Sequence, residues 1–282
     1  MIAITGANGQ LGRLVLKHLG KLTDEPVRAL VRSPEKAQDL VSSQVSVAKF
    51  DYDDSAALPD ALTGVDRLLL ISGSEVGKRS AQHAAVIEAA KAAGVGFIAY
   101  TSLLNVPRSS LTLAAEHVDT EKQLAESGIP HAVLRNGWYL ENFAGTIAAA
   151  LEHGAVIGAS GDGRFAAAAR EDYAEAAARI ISGGDVSTRA IELAGHPAFS
   201  RADLAAELSA RTGREIPFNN LPEDAYAGIL VQAGLPEGLA AALADADRGA
   251  GQGELSSSST ALAELIGRPT KSLSAFIAET VR

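Results

Sequence analysis

Three glycines stand close together near the start of the chain, in the stretch TGANGQLG: Gly6, Gly9 and Gly12, spaced G-x-x-G-x-x-G. A backbone without Cβ atoms can turn tightly and approach a pyrophosphate, whose charge then meets free N–H groups and the positive end of a following helix. The spacing predicts a phosphate-holding turn over Gly6, Ala7, Asn8, Gly9, Gln10, Leu11 and Gly12. A plain tight strand-to-helix turn is the alternative that the same residues leave. Further on, Arg32 follows the run VRALV, at the position where a chain that takes NAD places an acid against the ribose. A guanidinium instead forks onto a 2′-phosphate, and VRALVRS holds no carboxylate to repel it, so the expected cofactor is NADPH.

Asp51, just past a third strand, is placed to hydrogen-bond adenine, or else to make a polar turn with Asp53 and Asp54. Ser72, Gly73 and Ser74 close a fourth strand and are small enough to let a ribose or a nicotinamide come near. No metal site is expected. The chain has no cysteine, and His18, His83, His117, His131, His153 and His196 lack the spacing that would put two imidazoles on one helical face.

The elements that must position these residues are legible as short apolar runs alternating with helical stretches. Strands are predicted at Ile2–Thr5, Val27–Val31, Val45–Phe50, Arg67–Ser72, Phe97–Thr101 and Ala132–Leu134. Helices are predicted near Gly12–Gly20, Pro34–Val41, Ala56–Leu62, Ser80–Ala93 and Ala115–Ser127, with Ser33 as an N-cap before Pro34 and with Gly94 and Gly128 as stops. The pattern is α/β, a Rossmann-type doubly wound parallel sheet with a smaller mixed α/β C-terminal lobe. The sheet domain is expected over residues 1–150, with 172–195 returning to it, and the lobe over 151–282.

Composition narrows the function classes. With 47% hydrophobic and 21% charged residues the chain has ordinary globular usage, and its net charge of −9 comes with no run of Lys or Arg, so nucleic acid is not expected as a partner. No apolar stretch reads as a signal peptide or a membrane span, and no basic segment precedes the first strand, which predicts a cytoplasmic protein without membrane insertion.

The glycine turn, Arg32, YTSLLN, EKQLAESGIPHAVLRNGWYLEN and the tail LIGRPTKSLSAFI together resemble the NmrA-like branch of the atypical short-chain dehydrogenase/reductase superfamily. Within it the chain is similar to the bacterial NAD(P)H:quinone oxidoreductases of type 2, over essentially its whole length. The resemblance implies an NADP-binding domain at 1–150, a substrate-binding lobe at 151–282, and flavin-free reduction of a small-molecule quinone by NADPH; a homodimer is left open. One departure stands out: where active short-chain reductases carry Tyr-x-x-x-Lys, this chain reads LAAEH, with Leu113 and His117 at the two positions. Ser102 resembles the polar catalytic position at the end of the fifth strand, and His117 stands where a lysine would bond a ribose hydroxyl.

A quinone tolerates loss of the tyrosine acid, because hydride transfer to it leaves a hydroquinone anion far less basic than an alkoxide. Positioning then falls to the residues after the sixth strand, Asn136, Gly137, Trp138, Tyr139, Leu140, Glu141 and Asn142, with Arg170 beyond them. Tyr139, Asn136 and Ser102 are the catalytic candidates, Gly137–Asn142 are expected against the cofactor, and Trp138, Tyr139, Asn142 and Arg170 against the substrate, where a ring can stack on a flat quinone. The runner-up is a non-catalytic NADP(H)-binding redox sensor, which the missing Tyr-x-x-x-Lys would permit.

Overall fold

The computed structural model describes residues 1–281, with the elements β1 (Ile2–Thr5), α1 (Gln10–Leu22), β2 (Val27–Val31), β3 (Val45–Lys49), α2 (Leu58–Ala61), β4 (Arg67–Leu70), α3 (Arg79–Ala92), β5 (Phe97–Leu103), α4 (Ala114–Ser127), β6 (His131–Asn136), α5 (Ala144–His153), β7 (Val156–Gly158), β8 (Arg164–Phe165), α6 (Arg170–Ser182), β9 (Arg189–Leu193), β10 (Phe199–Ser200), α7 (Arg201–Thr212), β11 (Phe218–Asn220), α8 (Glu223–Gln232), α9 (Glu237–Gly251), α10 (Ala261–Ile266) and α11 (Leu273–Thr280). Two compact units emerge: Met1–Leu103 with Ala115–Asn136 and Glu171–Ile191, and Leu104–Ala114 with Gly137–Arg170 and Glu192–Arg282. The change of unit after β6 falls at Asn136/Gly137, earlier than the expected boundary at 150, because the chain from Gly137 onward bonds Leu193 and Ala168 of the second unit. Among the described residues no helix is long and apolar enough to cross a membrane.

The first unit is built on a seven-stranded sheet in the order β3-β2-β1-β4-β5-β6-β9. β1 through β6 pair in parallel, and β1, β4 and β5 are buried almost throughout, as strands covered on both faces must be. Strand order reverses between β1 and β4, and at such a switch point this topology holds ligands at the carboxyl ends of the strands. One face packs on Leu58, Leu62, Val86, Ala90 and Leu124. α1 buries Leu11, Val15, Leu16 and Leu19, the i, i+4 stripe of an amphipathic helix.

Two of the predicted helices differ. Pro34–Val41 forms two short 3₁₀ turns, Pro34–Lys36 and Gln38–Leu40, and the Ser33 side chain caps neither. The segment buries only Ala37, too little apolar surface to hold so short a helix. Ala56–Leu62 shrinks to the single turn Leu58–Ala61. β5 and β6 run longer than expected because they register against each other from Ile98↔His131 to Leu103↔Asn136.

In the second unit β8 pairs antiparallel with β10, and β7 parallel with β11. Its centre is a buried ion pair. Arg201 Nε donates to Asp247 Oδ2 at 2.7 Å and Nη2 to Oδ1 at 2.6 Å, while the guanidinium lies within 5.7 Å of the ring centres of Phe143, Phe165 and Tyr226. Asp247 Oδ2 also accepts the Ala159 N–H at 2.8 Å. A Cβ on Gly158 would collide with both partners, so only glycine lets the backbone pass there.

Removing one half of this pair leaves a buried, uncompensated charge. Arg201→Leu should lower stability by about 3–5 kcal/mol, and the double variant Arg201→Met/Asp247→Leu should recover much of that loss. Urea unfolding monitored by far-UV circular dichroism reads both values.

Candidate active site

The β1–α1 turn is fixed by contacts that leave no room for side chains on its inner side. Gly6 has φ +58°, a left-handed conformation, and the Gly9 N–H donates back to Gly6 O at 2.9 Å. A Cβ on Gly12 would stand 2.5 Å from Gly6 O and 2.7 Å from Ala7 Cα, so the helix start touches the turn itself. A Cβ on Gly9 would meet only Gly6 O, at 3.1 Å, and otherwise project outward. Gly9 is the N-cap of α1 and no side chain caps the helix. A phosphate fits such a turn, since the N–H groups of the first helical residues are donors without a capping side chain.

The other turn residues divide by exposure. Gly6, Gly9 and Gln10 are exposed and Asn8 is half-buried, whereas Ala7, Leu11 and Gly12 are buried. Arg13 secures the loop: Nε donates to Asn8 O at 3.2 Å, Nη2 bonds Asn8 Oδ1, and Nη1 reaches Asp39 Oδ2 at 2.6 Å. Sequence reasoning missed Arg13, whose partners are set by tertiary contact.

Arg32, at the carboxyl end of β2, is exposed and donates through Nη1 to Glu75 Oε1 at 3.0 Å. The fold thus brings a carboxylate to Arg32 from the loop after β4, although VRALVRS contains none. Asp51 Oδ1 accepts the Asp53 N–H at 3.2 Å, which is the polar-turn alternative in place.

Ser72, Gly73 and Ser74 follow β4, the first two half-buried and the third exposed. Their backbone is clamped. Ser72 N–H donates to Thr101 Oγ1 at 2.8 Å, Gly73 N–H to His83 Nε2 at 3.0 Å, and Arg79 Nε to Gly73 O at 2.7 Å. His83 completes the chain by donating from Nδ1 to Thr120 Oγ1 at 2.9 Å, since the threonine hydroxyl gives its own hydrogen to Glu116 O at 2.8 Å. Burial, reinforced by the Arg79 charge, pulls the His83 pKa down to about 3, so this ring is neutral.

Two of the expected residues make hydrogen bonds inside the first unit. Ser102 Oγ donates to Glu121 Oε1 at 2.6 Å, and Glu121 in turn takes Nη2 of Arg135 at 2.6 Å, so Ser102 serves an internal ion pair. Adjacent strand residues face opposite sides of a sheet, and it is Thr101 whose hydroxyl reaches the β4 loop. His117 is buried, with Nδ1 2.7 Å from the Tyr100 hydroxyl; burial, with the Arg79 and His83 neighbours, pulls its pKa to about 3. It packs into the interior of the first unit. The signal for Thr101 was in the sequence as strand alternation; none pointed to His83 or Arg79.

After β6 the chain enters the second unit. Asn136, the last residue of the strand, is buried with its Oδ1 lacking a hydrogen-bond donor, an acceptor suited to a ligand N–H or O–H. Gly137 N–H bonds Leu193 O at 2.8 Å, and Tyr139 bridges to Ala168. Trp138 and Tyr139 are half-buried and Asn142 is exposed. Leu140 is fully buried with its N–H on Ala168 O, and Glu141 takes the Arg170 N–H with both carboxylate oxygens at 3.0 Å. Both residues thus brace the segment after β6 against the start of α6. The Arg170 guanidinium lies over the Tyr139 ring at 4.9 Å, a cation held on an aromatic face.

Comparison with known proteins adds the following. The model of the NmrA-like family matches residues 1–271. Quinone oxidoreductase 2 of Escherichia coli (strain K12) is 53% identical over 274 residues, covering 97% of this chain and 96% of that protein. The crystal structure of the E. coli NADPH-dependent quinone oxidoreductase complexed with NADPH superposes with a TM-score of 0.97 at 52% identity, covering 100% of each chain. The Citrobacter sp. triphenylmethane reductase complexed with NADP(H) gives a TM-score of 0.95 at 33% identity, again over 100% of each chain.

Two outcomes follow from the site's geometry. Gly9→Val should lose nucleotide binding in a folded protein, whereas Gly12→Val, aimed at backbone atoms, should fail to fold stably; calorimetry with NADPH and thermal melts separate the two. The second concerns pH. The unfolded chain takes up a proton at each of His83 and His117 near their ordinary value of 6.5, the folded chain only near 3. Stability is therefore full above that ordinary value and falls as pH drops toward 3, by on the order of 1.4 kcal/mol per pH unit for each histidine. Denaturant unfolding at successively lower pH measures the slope, and His83→Gln should flatten it.

Proposed function

The chain belongs to the NmrA-like family, and from that premise we propose that it is an NADPH-dependent quinone reductase that carries out two-electron reduction by direct hydride transfer, without flavin. The full-length 53% identity to the E. coli Quinone oxidoreductase 2 carries the reading. The phosphate-holding geometry of the β1–α1 turn supports it from the residues upward.

We assign the cofactor to the first unit. Gly6, Gly9 and Gly12 admit the pyrophosphate against the start of α1, Arg32 takes the 2′-phosphate, and the clamped Ser72–Ser74 backbone lines the ribose and nicotinamide. When bound, NADPH supplies the hydride. The quinone is assigned to Trp138, Tyr139 and Asn142, with the aromatic ring as a platform. Arg170, already above Tyr139, meets the negative charge that develops on a quinone oxygen, and the Asn136 Oδ1 accepts a hydrogen bond that fixes a ligand's orientation. Ser102 and His117 are assigned to support, since they already bond Glu121 and Tyr100. No side chain need act as a strong acid, because the product anion is weakly basic and collects its proton from water. A cysteine-free, acidic chain acting on a soluble nucleotide suits the cytoplasm, and nothing in the chemistry calls for nucleic acid.

NADPH oxidation by purified, flavin-free protein with a panel of small quinones tests the whole reading; turnover is expected, and its absence across the panel would leave a nucleotide-binding sensor. Within that assay Tyr139→Phe should keep most of kcat, whereas Tyr139→Ala should raise the quinone KM. General-acid loss costs about 10²–10⁴-fold, so a collapse of that size in Tyr139→Phe would make the tyrosine an acid and not a platform.

A further inference from the structure

Glu75 occupies a place that the amino-acid order does not announce. It lies on the arc between Gly73 and Gly77, and both ends of that arc are fixed: Gly73 by His83 and Arg79, Gly77 by donation of its N–H to Glu116 Oε1 at 3.0 Å. Glu116 Oε1 also takes the N–H of Arg79, the first residue of α3, at 3.0 Å. With its backbone held at both sides, Glu75 presents one oxygen to Arg32 Nη1 at 3.0 Å and the other to Lys78 Nζ at 3.3 Å. A carboxylate bridging two cations is the arrangement a phosphate would take there.

We propose that Glu75 is a built-in competitor for the 2′-phosphate of NADPH, so that the preference for NADPH over NADH is set by an exchange of anions on Arg32 and not by Arg32 alone. The inference rests on the cofactor reading above. The ion pair suits exchange: the Arg32 side chain is 69% exposed and Glu75 36%, so the bond between them is weak and salt-screened. A phosphate carrying more than one negative charge displaces a single carboxylate, which keeps Lys78 as its partner when Arg32 is given up. The 2′-hydroxyl of NADH cannot displace it, and the carboxylate can accept that hydroxyl's hydrogen instead. Glu75 therefore weakens NADPH binding and leaves NADH binding untouched or slightly favoured, which narrows the discrimination that a lone arginine would give.

Isothermal calorimetry with NADPH and NADH on wild type, Arg32→Ala, Glu75→Gln and, as a control for net charge, Glu88→Gln on the exposed face of α3 tests the exchange. Glu75→Gln should tighten NADPH by about two- to tenfold at low salt, with NADH unchanged or weakened, and the gain should shrink as salt is raised. Arg32→Ala should weaken NADPH by roughly tenfold or more. Unchanged NADPH affinity in Glu75→Gln, or an equal gain in Glu88→Gln, would overturn the competitor while leaving the cofactor assignment standing. Failure of the wild type to bind NADPH would overturn both.

Discussion

The approach of the first helix to its own preceding turn is the constraint on which the first unit depends. At Gly12 the distance to Gly6 O and Ala7 Cα leaves no space for even one carbon, so α1 starts directly against the backbone of the turn that leaves β1. That closeness lets Leu11, Val15, Leu16 and Leu19 reach the core, and it also presents the uncapped helix start at the carboxyl ends of β1 and β4. Packing and ligand binding therefore share one cause. The switch point follows from strand order, but the helix start faces it because the glycines allow nothing between them.

Charged groups in the molecule fall into two kinds. Arg201–Asp247, Arg135–Glu121 and Arg79–Glu116 have side chains exposed by at most 17%; the first and the last join elements distant in sequence, and Arg135–Glu121 ties β6 to the helix just before it. Taking any of these apart means desolvated charge without a partner, so they behave as fixed parts. Arg32–Glu75–Lys78 stands in water and can be rearranged at little cost. The first kind holds its elements in place, whereas the second is free to exchange partners, as the proposed competition on Arg32 requires.

Much of this architecture was legible in the residue order. β1 and β2 lie where apolar runs and flanking turns put them, and the glycine spacing located the tight strand-to-helix turn, because both signals are local. The rest was decided by contacts between segments. Pro34–Val41 has helix punctuation but buries a single alanine, so no face holds it as a helix. Ser102 looked like the polar residue at the strand end, and only the pairing of β5 with β6 shows that it turns toward Arg135 while Thr101 turns toward Ser72. His117 was chosen by its alignment with a lysine, and Leu140 and Glu141 by their neighbourhood along the chain; the partners each of them makes come from tertiary contact that residue order does not show. The carboxylate beside Arg32 comes from 43 residues away, and no window centred on VRALVRS contains it.

Gly158, Arg201 and Asp247 illustrate a consequence for substitution. The glycine exists because the salt-bridged pair lies against its backbone, and the pair is held in part by the N–H of the next residue, Ala159. A side chain at 158 expels the pair, a neutral residue at 201 strands Asp247, and a neutral residue at 247 strands Arg201. Each single replacement passes through a protein worse than either end state. The three positions are therefore energetically coupled: replacing both members of the pair together costs less than replacing either alone, and a side chain at 158 needs the pair gone first.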